Sequence, residues 1–472
     1  MRTPEPLSVF LARERARGAG DTEALVEQAL HLLEQAYVHL PSARDAGWEP
    51  LEQLGALGHR RHGNRLDFYR ELLAVFTRLG DRHTRCVLPE PFASSLAFLP
   101  FRVGECFEQG ARRYLVLGSE DAALEPGALV VSWNGLPVSE VLARHAAWQY
   151  GAHPEARHAR AVQTLTFRPL NLMPAPEEES VLLECVSPSG RRCEARLAWR
   201  VSDFAWFARY FTACPPWREG FRARTVETAH GTFGLIQVAS LQGDPETFVA
   251  DFVRTLEGLP REGLILDLRD CEEGFVQLGE KLLQLFSSRR ISPAPFQFRV
   301  TPWSQRLVRS CPALGGWAAA MARAGAEGRA FCEGIPLTSE ADANALGRRY
   351  SGPLVLLTSA LTYSTAEMFA AGVQDHHLGR VLGTAARTGG GGASPWPQRT
   401  LFQLSRTEAF RPLPDAPQFR LAVRRCARVH ARAGLLLEGE GVVPDLIHSP
   451  TRGDLLNDDR RLLEAAGSLL RS

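Results

Sequence analysis

The chain has 472 residues, of which 45% are hydrophobic and 23% are charged, a composition typical of globular proteins. This length exceeds what one ordinary hydrophobic core organises, so two or three domains are expected. The formal net charge of +1 gives no electrostatic basis for nucleic acid or an anionic membrane as the main partner.

The sequence also lacks the common signals for export, membrane insertion and metal binding. The first twenty residues, MRTPEPLSVFLARERARGAG, contain no apolar signal-peptide core, and no run reaches membrane-spanning length. The nine cysteines form no Cys-x-x-Cys pair, and no His-Glu-x-x-His motif occurs. We therefore expect a cytoplasmic protein with free buried thiols and with neither a metal nor a cofactor.

Two amphipathic helices are predicted near the N-terminus. The segment DTEALVEQALHLLEQAYVHL has apolar residues at helical spacing, with Asp21 or Thr22 as its cap. The segment LDFYRELLAVFTRLG repeats the pattern and stops at Gly80. The sequence DRHT follows directly, so His83 is expected on a loop from which it can reach a neighbouring domain.

The pattern of apolar residues changes twice along the remaining chain. From about residue 98 to 200, short alternating runs predict strands, with a hairpin across Pro188-Ser189-Gly190. From about residue 232, strands and helices alternate, which predicts a layered α/β domain with right-handed crossovers. There, Asp244 is predicted to cap a helix, and GLILDLR reads as a buried parallel strand. Residues 288–349 show no clear pattern and are expected to wrap the domain surface.

Ser364 lies where a predicted buried strand, PLVLLTS, meets a predicted helix, YSTAEMFAAGV. Ser364 and Glu367 have the spacing of a capping box, and this pattern alone favours a helix cap over a nucleophile. The same position also suits a nucleophile, because the free amides of a helix N-terminus stabilise an oxyanion, with the Thr365 amide as the natural donor. Spacing does not choose a base among the thirteen histidines.

Six motifs follow one another over nearly the whole chain: LGDRHT, LEPGALVVSWNGLPV, GLILDLR, ALTYSTAEMFAAGVQDH, GRVLGTAARTGGGG and LEGEGVVPD. In this order they resemble the tail-specific, or C-terminal processing, serine peptidase family, which includes the tricorn core protease and interphotoreceptor retinoid-binding protein. The resemblance implies an α/β, crotonase-like (ClpP/crotonase-type) peptidase core at residues 203–472. It also implies a PDZ-like β-rich module at residues 98–202 and an N-terminal helical region at residues 1–97.

The family uses either a Ser/Lys dyad or a Ser-His-Glu arrangement. The dyad places its lysine about twenty-five residues after the serine, whereas the only lysine here, Lys281, precedes Ser364. The resemblance therefore implies Ser364 as nucleophile, His83 as general base and Glu438 as the carboxylate that orients the imidazole, with Glu440 as the alternative. It implies a serine endopeptidase that cleaves peptides or unfolded protein tails through an acyl-enzyme.

One segment departs from the family pattern. The family follows DLR with Gly-Asn and a glycine cluster, whereas this chain has DLRDCEEGFV, in which only Gly274 remains. The amides of Gly274 and Thr365 are expected to form the oxyanion site, where the carboxylates of Glu272 and Glu273 would oppose negative charge. This departure supports an alternative, a catalytically impaired protein that binds a peptide or a small hydrophobic ligand. An esterase with the same three residues is also compatible, because the attack chemistry is shared.

Overall fold

The computed structural model describes residues 3–18, 21–210 and 220–471, which form a mixed α/β fold. The first region is mainly helical, with a short strand before its helices and two after them: β1 (Glu5–Pro6), α1 (Leu7–Arg15), α2 (Thr22–Ala36), α3 (Leu40–Asp45), α4 (Pro50–Gly58), α5 (Arg65–Arg78), β2 (Arg85–Val87) and β3 (Ser95–Phe98). The second region is richer in strands: β4 (Phe101–Glu108), β5 (Ala111–Ser119), β6 (Leu129–Trp133), β7 (Leu136–Pro137), α6 (Val138–Ala146), α7 (Pro154–Thr164), β8 (Phe167–Pro169), β9 (Ser180–Val186), β10 (Arg192–Ala198), β11 (Arg200–Asp203) and α8 (Phe204–Tyr210).

The third region alternates strands and helices. It begins with β12 (Phe221–Thr228), β13 (Gly231–Val238), α9 (Pro245–Glu257), β14 (Leu264–Asp267), α10 (Val276–Gln284), β15 (Pro295–Phe298), α11 (Pro302–Ser310), α12 (Ala318–Ala326), β16 (Ile335–Pro336) and α13 (Glu340–Ala343). It continues with β17 (Leu354–Thr358), α14 (Thr365–Asp375), β18 (Arg380–Gly383), β19 (Ala393–Pro397), α15 (Gln398–Ser405), β20 (Gln418–Cys426), β21 (Leu446–Ile447), α16 (Arg452–Leu456) and α17 (Arg460–Arg471). Within the described residues, no helix combines the length and apolar character needed to cross a membrane.

The central sheet of the third region has the strand order β12-β13-β14-β17-β18-β21. Apart from the antiparallel pair β12/β13, neighbouring strands are parallel. Leu264 and Leu266 of β14 face the main apolar core, whereas Ile265 packs in a second cluster with residues of α17. Because both faces of β14 are covered, its sequence is a continuous apolar run. The prediction of a buried parallel strand at GLILDLR is confirmed.

A second, antiparallel sheet joins the N-terminal region to the third region. Its order is β16-β15-β20-β19, and β2 also pairs with β20. The Ala422 amide donates a hydrogen bond to the Thr84 hydroxyl at 2.9 Å, and the Phe76 ring stacks on Phe419 with centroids 5.1 Å apart. His83 lies between α5 and β2, so the contacts of these two elements with β20 bring it close to the central sheet.

The second region contributes two further antiparallel arrangements. The larger sheet has the order β10-β9-β6-β5-β4, and its β9/β10 hairpin lies across Pro188-Ser189-Gly190 as predicted. The smaller sheet, β1-β11-β3-β8, pairs strands from both sides of the predicted limit at 97/98. The domain limits at 97/98 and 202/203 stay predictions.

Residues 288–349 are more than a surface covering. Within this segment β15 pairs with β20 in the second sheet, and Phe296 and Trp303 are buried. Leu314, Trp317 and Leu337 from the same segment line a cleft that also contains Ser364. The expectation that this segment wraps the domain surface is therefore wrong, because it supplies part of the core and part of the cleft lining.

Candidate active site

Ser364 occupies the turn between β17 and α14 in an unusual backbone conformation. Its φ is 59° and its ψ is −127°, a region that residues other than glycine seldom adopt and that surrounding structure must impose. The Tyr363 amide donates to the Cys271 carbonyl at 3.2 Å, and the Met368 amide donates to the Ser364 carbonyl at 2.9 Å. The backbone on both sides of Ser364 is thus fixed.

The predicted capping box does not form. Ser364 is the N-cap residue of α14, but among the described residues its side chain makes no capping hydrogen bond. The Glu367 carboxylate turns instead to the glycine-rich loop, accepting hydrogen bonds from the Thr388 hydroxyl and from the amides of Gly390 at 2.8 Å and Gly391 at 2.5 Å. The capping box is wrong because both of its side chains have other partners.

The partner of the Ser364 hydroxyl is His83, whose Nε2 lies 2.9 Å from Ser364 Oγ. The His83 side chain is only 4% exposed, and its ring packs against Tyr363 with centroids 4.7 Å apart. Burial, together with the positive charges of Arg420 and Arg82, lowers the pKa of His83 well below its ordinary value. The imidazole is therefore neutral, the state in which its nitrogen can accept a proton from the serine.

Two carboxylates lie behind His83, and Asp81 is the nearer one. Asp81 Oδ1 accepts the backbone amide of His83 at 2.7 Å and lies 3.8 Å from His83 Nδ1. Glu438 Oε2 accepts the Gly392 amide at 3.0 Å and lies 3.5 Å from His39 Nε2. His39, Asp81 and Glu438 each contribute one nitrogen or oxygen atom, and these three atoms lie within 4.8 Å of one another. Glu438 is thus part of the same buried cluster, one layer further from Ser364 than Asp81 is.

Burial and neighbouring charges shift the pKa values of all three side chains in this cluster. Burial and the neighbouring charges of Asp81 and Glu367 raise the pKa of Glu438 well above its ordinary value, and burial likewise raises the pKa of Asp81. Burial and Arg425 lower the pKa of His39 to about 3. Two buried carboxyls this close favour one shared proton over two negative charges.

Sequence reasoning missed Asp81, although the motif DRHT contains it two residues before His83. Its short side chain returns to the His83 amide, which is how Asp commonly stabilises a turn, and this local signal was available. Glu440, the alternative to Glu438, lies at the surface with 77% of its side chain exposed, 3.5 Å from Arg387. It is remote from the cluster, so Glu438 is the better placed of the two.

The carboxylates of Glu272 and Glu273 are neutralised by arginines. Glu272 forms ion pairs with Arg82 and with Arg160, the latter at 3.0 Å. Glu273 Oε1 lies 3.8 Å from Arg85 Nη2 and also 3.8 Å from Arg420 Nη1. The two carboxylates were expected to oppose negative charge at the site. Four guanidinium groups offset this effect.

The two expected oxyanion donors lie beside each other. The Thr365 hydroxyl donates to the Gly274 carbonyl at 2.8 Å, and both residues line the same cleft as Ser364. A Cβ at Gly274 would lie 2.4 Å from the Leu241 Cβ. The glycine is thus required by its close approach to Leu241.

The cleft has a volume of about 780 Å³ and a lining of mixed chemistry. Its apolar residues are Leu314, Trp317, Ile335, Pro336, Leu337, Phe275 and Val276. Its charged residues are Arg82, Arg85, Arg420 and Arg424, together with Glu272 and Glu273. With His83 neutral, the lining has more positive than negative groups, so anionic or partially negative groups are favoured next to Ser364.

Comparison with known families assigns the part of the chain that contains this serine. Residues 232–446 match the model of peptidase family S41. The chain carries an S41 peptidase domain. The predicted resemblance to tail-specific serine peptidases is confirmed, and the match supports a serine-type hydrolase. His83 lies outside the matched residues, so this domain receives its histidine from the N-terminal region.

The likeness in fold to CPAF extends beyond the residues that match the S41 model. Mature CPAF complexed with lactacystin is 16% identical, with 96% of this chain and 99% of that chain covered and a TM-score of 0.73. Mature CPAF alone gives the same identity and TM-score, with 98% of that chain covered. The photosystem II D1 C-terminal processing protease is 17% identical over 95% of this chain and 97% of that chain, with a TM-score of 0.45. No curated protein sequence matches the chain.

Proposed function

We propose that the protein is a serine endopeptidase that cleaves peptides or unfolded protein tails through an acyl-enzyme. The proposal is carried by one observation: His83 Nε2 lies 2.9 Å from the hydroxyl of Ser364, at the edge of the cleft. This distance is within the range in which a base removes a proton from a nucleophile. The S41 domain supports peptide bonds as the substrate class.

In the first half of the reaction, His83 Nε2 accepts the proton of Ser364 while Oγ attacks the peptide carbonyl carbon. The resulting oxyanion lies at the start of α14, where the Thr365 amide and the Gly274 amide are proposed as donors. His83 then gives the proton to the leaving amine as the C–N bond breaks. Water, deprotonated by the same imidazole, releases the acyl group and restores Ser364.

The carboxylates behind His83 are proposed to orient its ring and stabilise its positive charge during the reaction. Asp81 holds the His83 backbone and lies nearest to Nδ1, and Glu438 adds charge from behind Asp81. This arrangement gives Glu438 the role implied by the family resemblance, shared with Asp81. Both are positioning residues, because they act on Ser364 through the imidazole.

The proposed fold assignment includes a module that binds the peptide substrate. We propose that residues 203–472 form the crotonase-like core and that the β4–β10 sheet is a PDZ-like module. Such a module binds an extended peptide by adding it as a strand to a sheet edge. The mixed apolar and basic lining of the cleft supports a polypeptide over a small apolar ligand, which is why the peptidase is preferred to the ligand-binding alternative.

The first test compares casein hydrolysis by the wild type, Ser364→Ala and His83→Ala at neutral pH. Each variant is expected to lose activity by a factor of about a thousand or more, because nucleophile and base act as a unit. His430→Ala is the matched control, since His430 is an exposed histidine whose contact is with His376 at 3.1 Å. It should retain wild-type activity.

A folded but inactive wild type, assayed also on unstructured peptides, would contradict the peptidase assignment. Turnover of small esters measured in parallel separates a peptidase from an esterase with the same residues. Ester turnover that depends on Ser364, with no peptide turnover, would favour the esterase.

A further inference from the structure

Arg424 differs from the other arginines that line the Ser364 cleft. Arg82, Arg85 and Arg420 each pair with a glutamate carboxylate. Arg424 is only 6% exposed, yet no carboxylate of the described chain lies within ion-pair distance of its guanidinium. A buried charge without a counter-ion is costly, so an unpaired guanidinium in the lining of a cleft points to an anionic ligand.

The strand register determines where this guanidinium lies. Arg424 belongs to β20, and its cross-strand partners are Phe298 of β15 and Ser394 of β19. Residues directly opposite one another in an antiparallel sheet share a face. The guanidinium carbon accordingly lies 5.4 Å from the centroid of the Phe298 ring, and Arg424 Nη2 donates to Ser394 Oγ at 2.9 Å. Ser394 and Arg424 both line the cleft.

Aromatic rings hold the guanidinium without neutralising it. The ring centroids of Trp317 and Trp396 lie 5.2 Å and 5.1 Å from its central carbon, and the Trp317 indole is fixed because its Nε1 donates to the Phe296 carbonyl at 3.1 Å. Such cation–π contacts stabilise the charge but do not accept its N–H groups. Within the described residues, Arg424 Nε is buried and has no hydrogen-bond partner. Burial lowers the pKa of Arg424 to about 10, so the group is still charged at neutral pH.

We propose that Arg424 is a specificity-determining residue that binds a carboxylate of the peptide substrate within the Ser364 cleft. A planar guanidinium and a carboxylate form charge-assisted hydrogen bonds with matched geometry. A neutral group in the same place would leave the guanidinium unpaired among aromatic rings, so the site rejects it. The carboxylate belongs either to an Asp or Glu side chain of the substrate or to its C-terminus, and the two sources are separated by experiment.

Substrate selection by Arg424 rests on the proposed peptidase function, but carboxylate binding does not, so the two are measured separately. For selection, the wild type is given a synthetic peptide library, and the cleaved bonds are identified by mass spectrometry. We expect an acidic residue at one fixed position relative to the cleaved bond, or cleavage at one fixed distance from the C-terminus.

The best-cleaved peptide is then compared with two neutral counterparts, one with Gln in place of the acidic residue and one with an amidated C-terminus. In the wild type, one of these changes should lower kcat/KM at least about tenfold, which identifies the source of the carboxylate. In Arg424→Gln the same change should alter kcat/KM by less than about twofold. Arg425→Gln is the matched control, because Arg425 is the next residue of β20 and its Nε donates to Gln297 Oε1 at 2.9 Å. It should keep the wild-type ratio. Each protein is compared with itself, so partial loss of folded protein does not affect the ratio.

Carboxylate binding is measured without turnover on the full-length Ser364→Ala protein. The probes are phenylbutyrate, an apolar body with one carboxylate, and the neutral phenylbutyramide, and their binding is followed by tryptophan fluorescence. Phenylbutyrate should bind at least about tenfold more tightly than the amide, and this preference should disappear with Arg424→Gln and persist with Arg425→Gln.

Three results would overturn the proposal: equal kcat/KM of the wild type for all three peptides, equal binding of the two probes, or a preference that survives Arg424→Gln. A wild type that cleaves no peptide, but whose Ser364→Ala form prefers phenylbutyrate through Arg424, overturns the peptidase and leaves the carboxylate site standing.

Discussion

Glu272 shows how single residues balance charge near Ser364. Its carboxylate is held by Arg82 and Arg160, and the side chains of Glu272 and Arg160 are only 11% and 7% exposed. The nearby arginines outweigh the cost of burial and lower the pKa of Glu272. Glu272, whose carboxylate was expected from the sequence to oppose catalysis, therefore serves as the counter-ion of the buried Arg160 and the half-buried Arg82.

Replacing Glu272 by Ala is expected to destabilise the fold by about 3–5 kcal/mol, because it leaves the buried Arg160 without its counter-ion. The measurement is the free energy of unfolding in urea. Glu440→Ala is the matched control, since that glutamate also pairs with an arginine but is 77% exposed. It should change stability by less than about 0.5 kcal/mol. Equal effects of the two substitutions would show that the Glu272 pairs are not structurally important.

Glu280 predicts a pH dependence of stability away from the proposed active site. Burial raises the pKa of Glu280 from 4.5 to about 7, while its Oε1 accepts the Ala294 amide at 2.8 Å. Between these two values the folded state binds more protons than the unfolded state, so stability falls as pH rises from about 4.5 to about 7. The full effect is up to about 3 kcal/mol.

Glu280→Gln removes this titration and keeps an oxygen for the Ala294 amide. The variant should be close to the wild type in stability at pH 5 and more stable than it at pH 8, by about 1–3 kcal/mol. Urea unfolding at the two pH values measures the difference between the proteins, which cancels the other titrating groups. A constant difference across this range would contradict the assigned ionisation.

The glycine-rich loop between β18 and β19 is the element that holds the proposed site together. The Glu367 carboxylate of α14 binds its amides, and Gly391 lies against the Tyr363 ring that packs on His83. A Cβ at Gly391 would lie 2.0 Å from a ring atom of Tyr363. The close contact of this loop with Tyr363 gives the glycine at 391 a steric reason.

Gly391→Ala should therefore displace the Tyr363 ring and with it His83. We expect a destabilisation of about 1–3 kcal/mol from overpacking and a larger proportional loss in kcat than in substrate affinity. Steady-state kinetics on a peptide and thermal unfolding measure both effects. Gly315→Ala, where nothing lies within 4 Å of the added Cβ, should leave both unchanged. Normal kcat in Gly391→Ala would show that the ring does not position the base.

Local signals predicted the elements whose structure is decided locally. Asp21 caps α2 and Asp244 caps α9 through the expected backbone hydrogen bonds, and β14 has the expected burial. The predicted capping box at Ser364 does not form, because the side chains of Ser364 and Glu367 make hydrogen bonds to residues far away in the sequence. Residues 288–349 were unreadable because short strands such as β15 gain their partners from β20, more than a hundred residues further along the chain.

At the scale of the whole molecule, the proposed base and nucleophile are 281 residues apart in sequence. Family motifs were enough to nominate Ser364 and His83, since each lies in a short recognisable segment. The ion pairs of Glu272 and the place of Asp81 between His83 and Glu438 depend on contacts between distant segments, which one sequence does not reveal. The β2–β20 pairing is the physical link that brings these segments together.

Thr84 tests this link, because its hydroxyl joins both sides of it. The hydroxyl accepts the Ala422 amide of β20 at 2.9 Å, and the Thr84 amide donates to the Asp81 carbonyl at 3.2 Å. Thr84→Val keeps the volume but leaves the buried Ala422 amide without its acceptor, at a cost of about 1–3 kcal/mol. Because His83 is the preceding residue, a small displacement should lower kcat by about ten- to a hundredfold with little change in KM. Thr84→Ser keeps the hydroxyl and should stay near the wild type in kcat. A wild-type kcat in Thr84→Val, whatever its stability, would show that the position of His83 is set by α5 and Tyr363 without the β2–β20 contact.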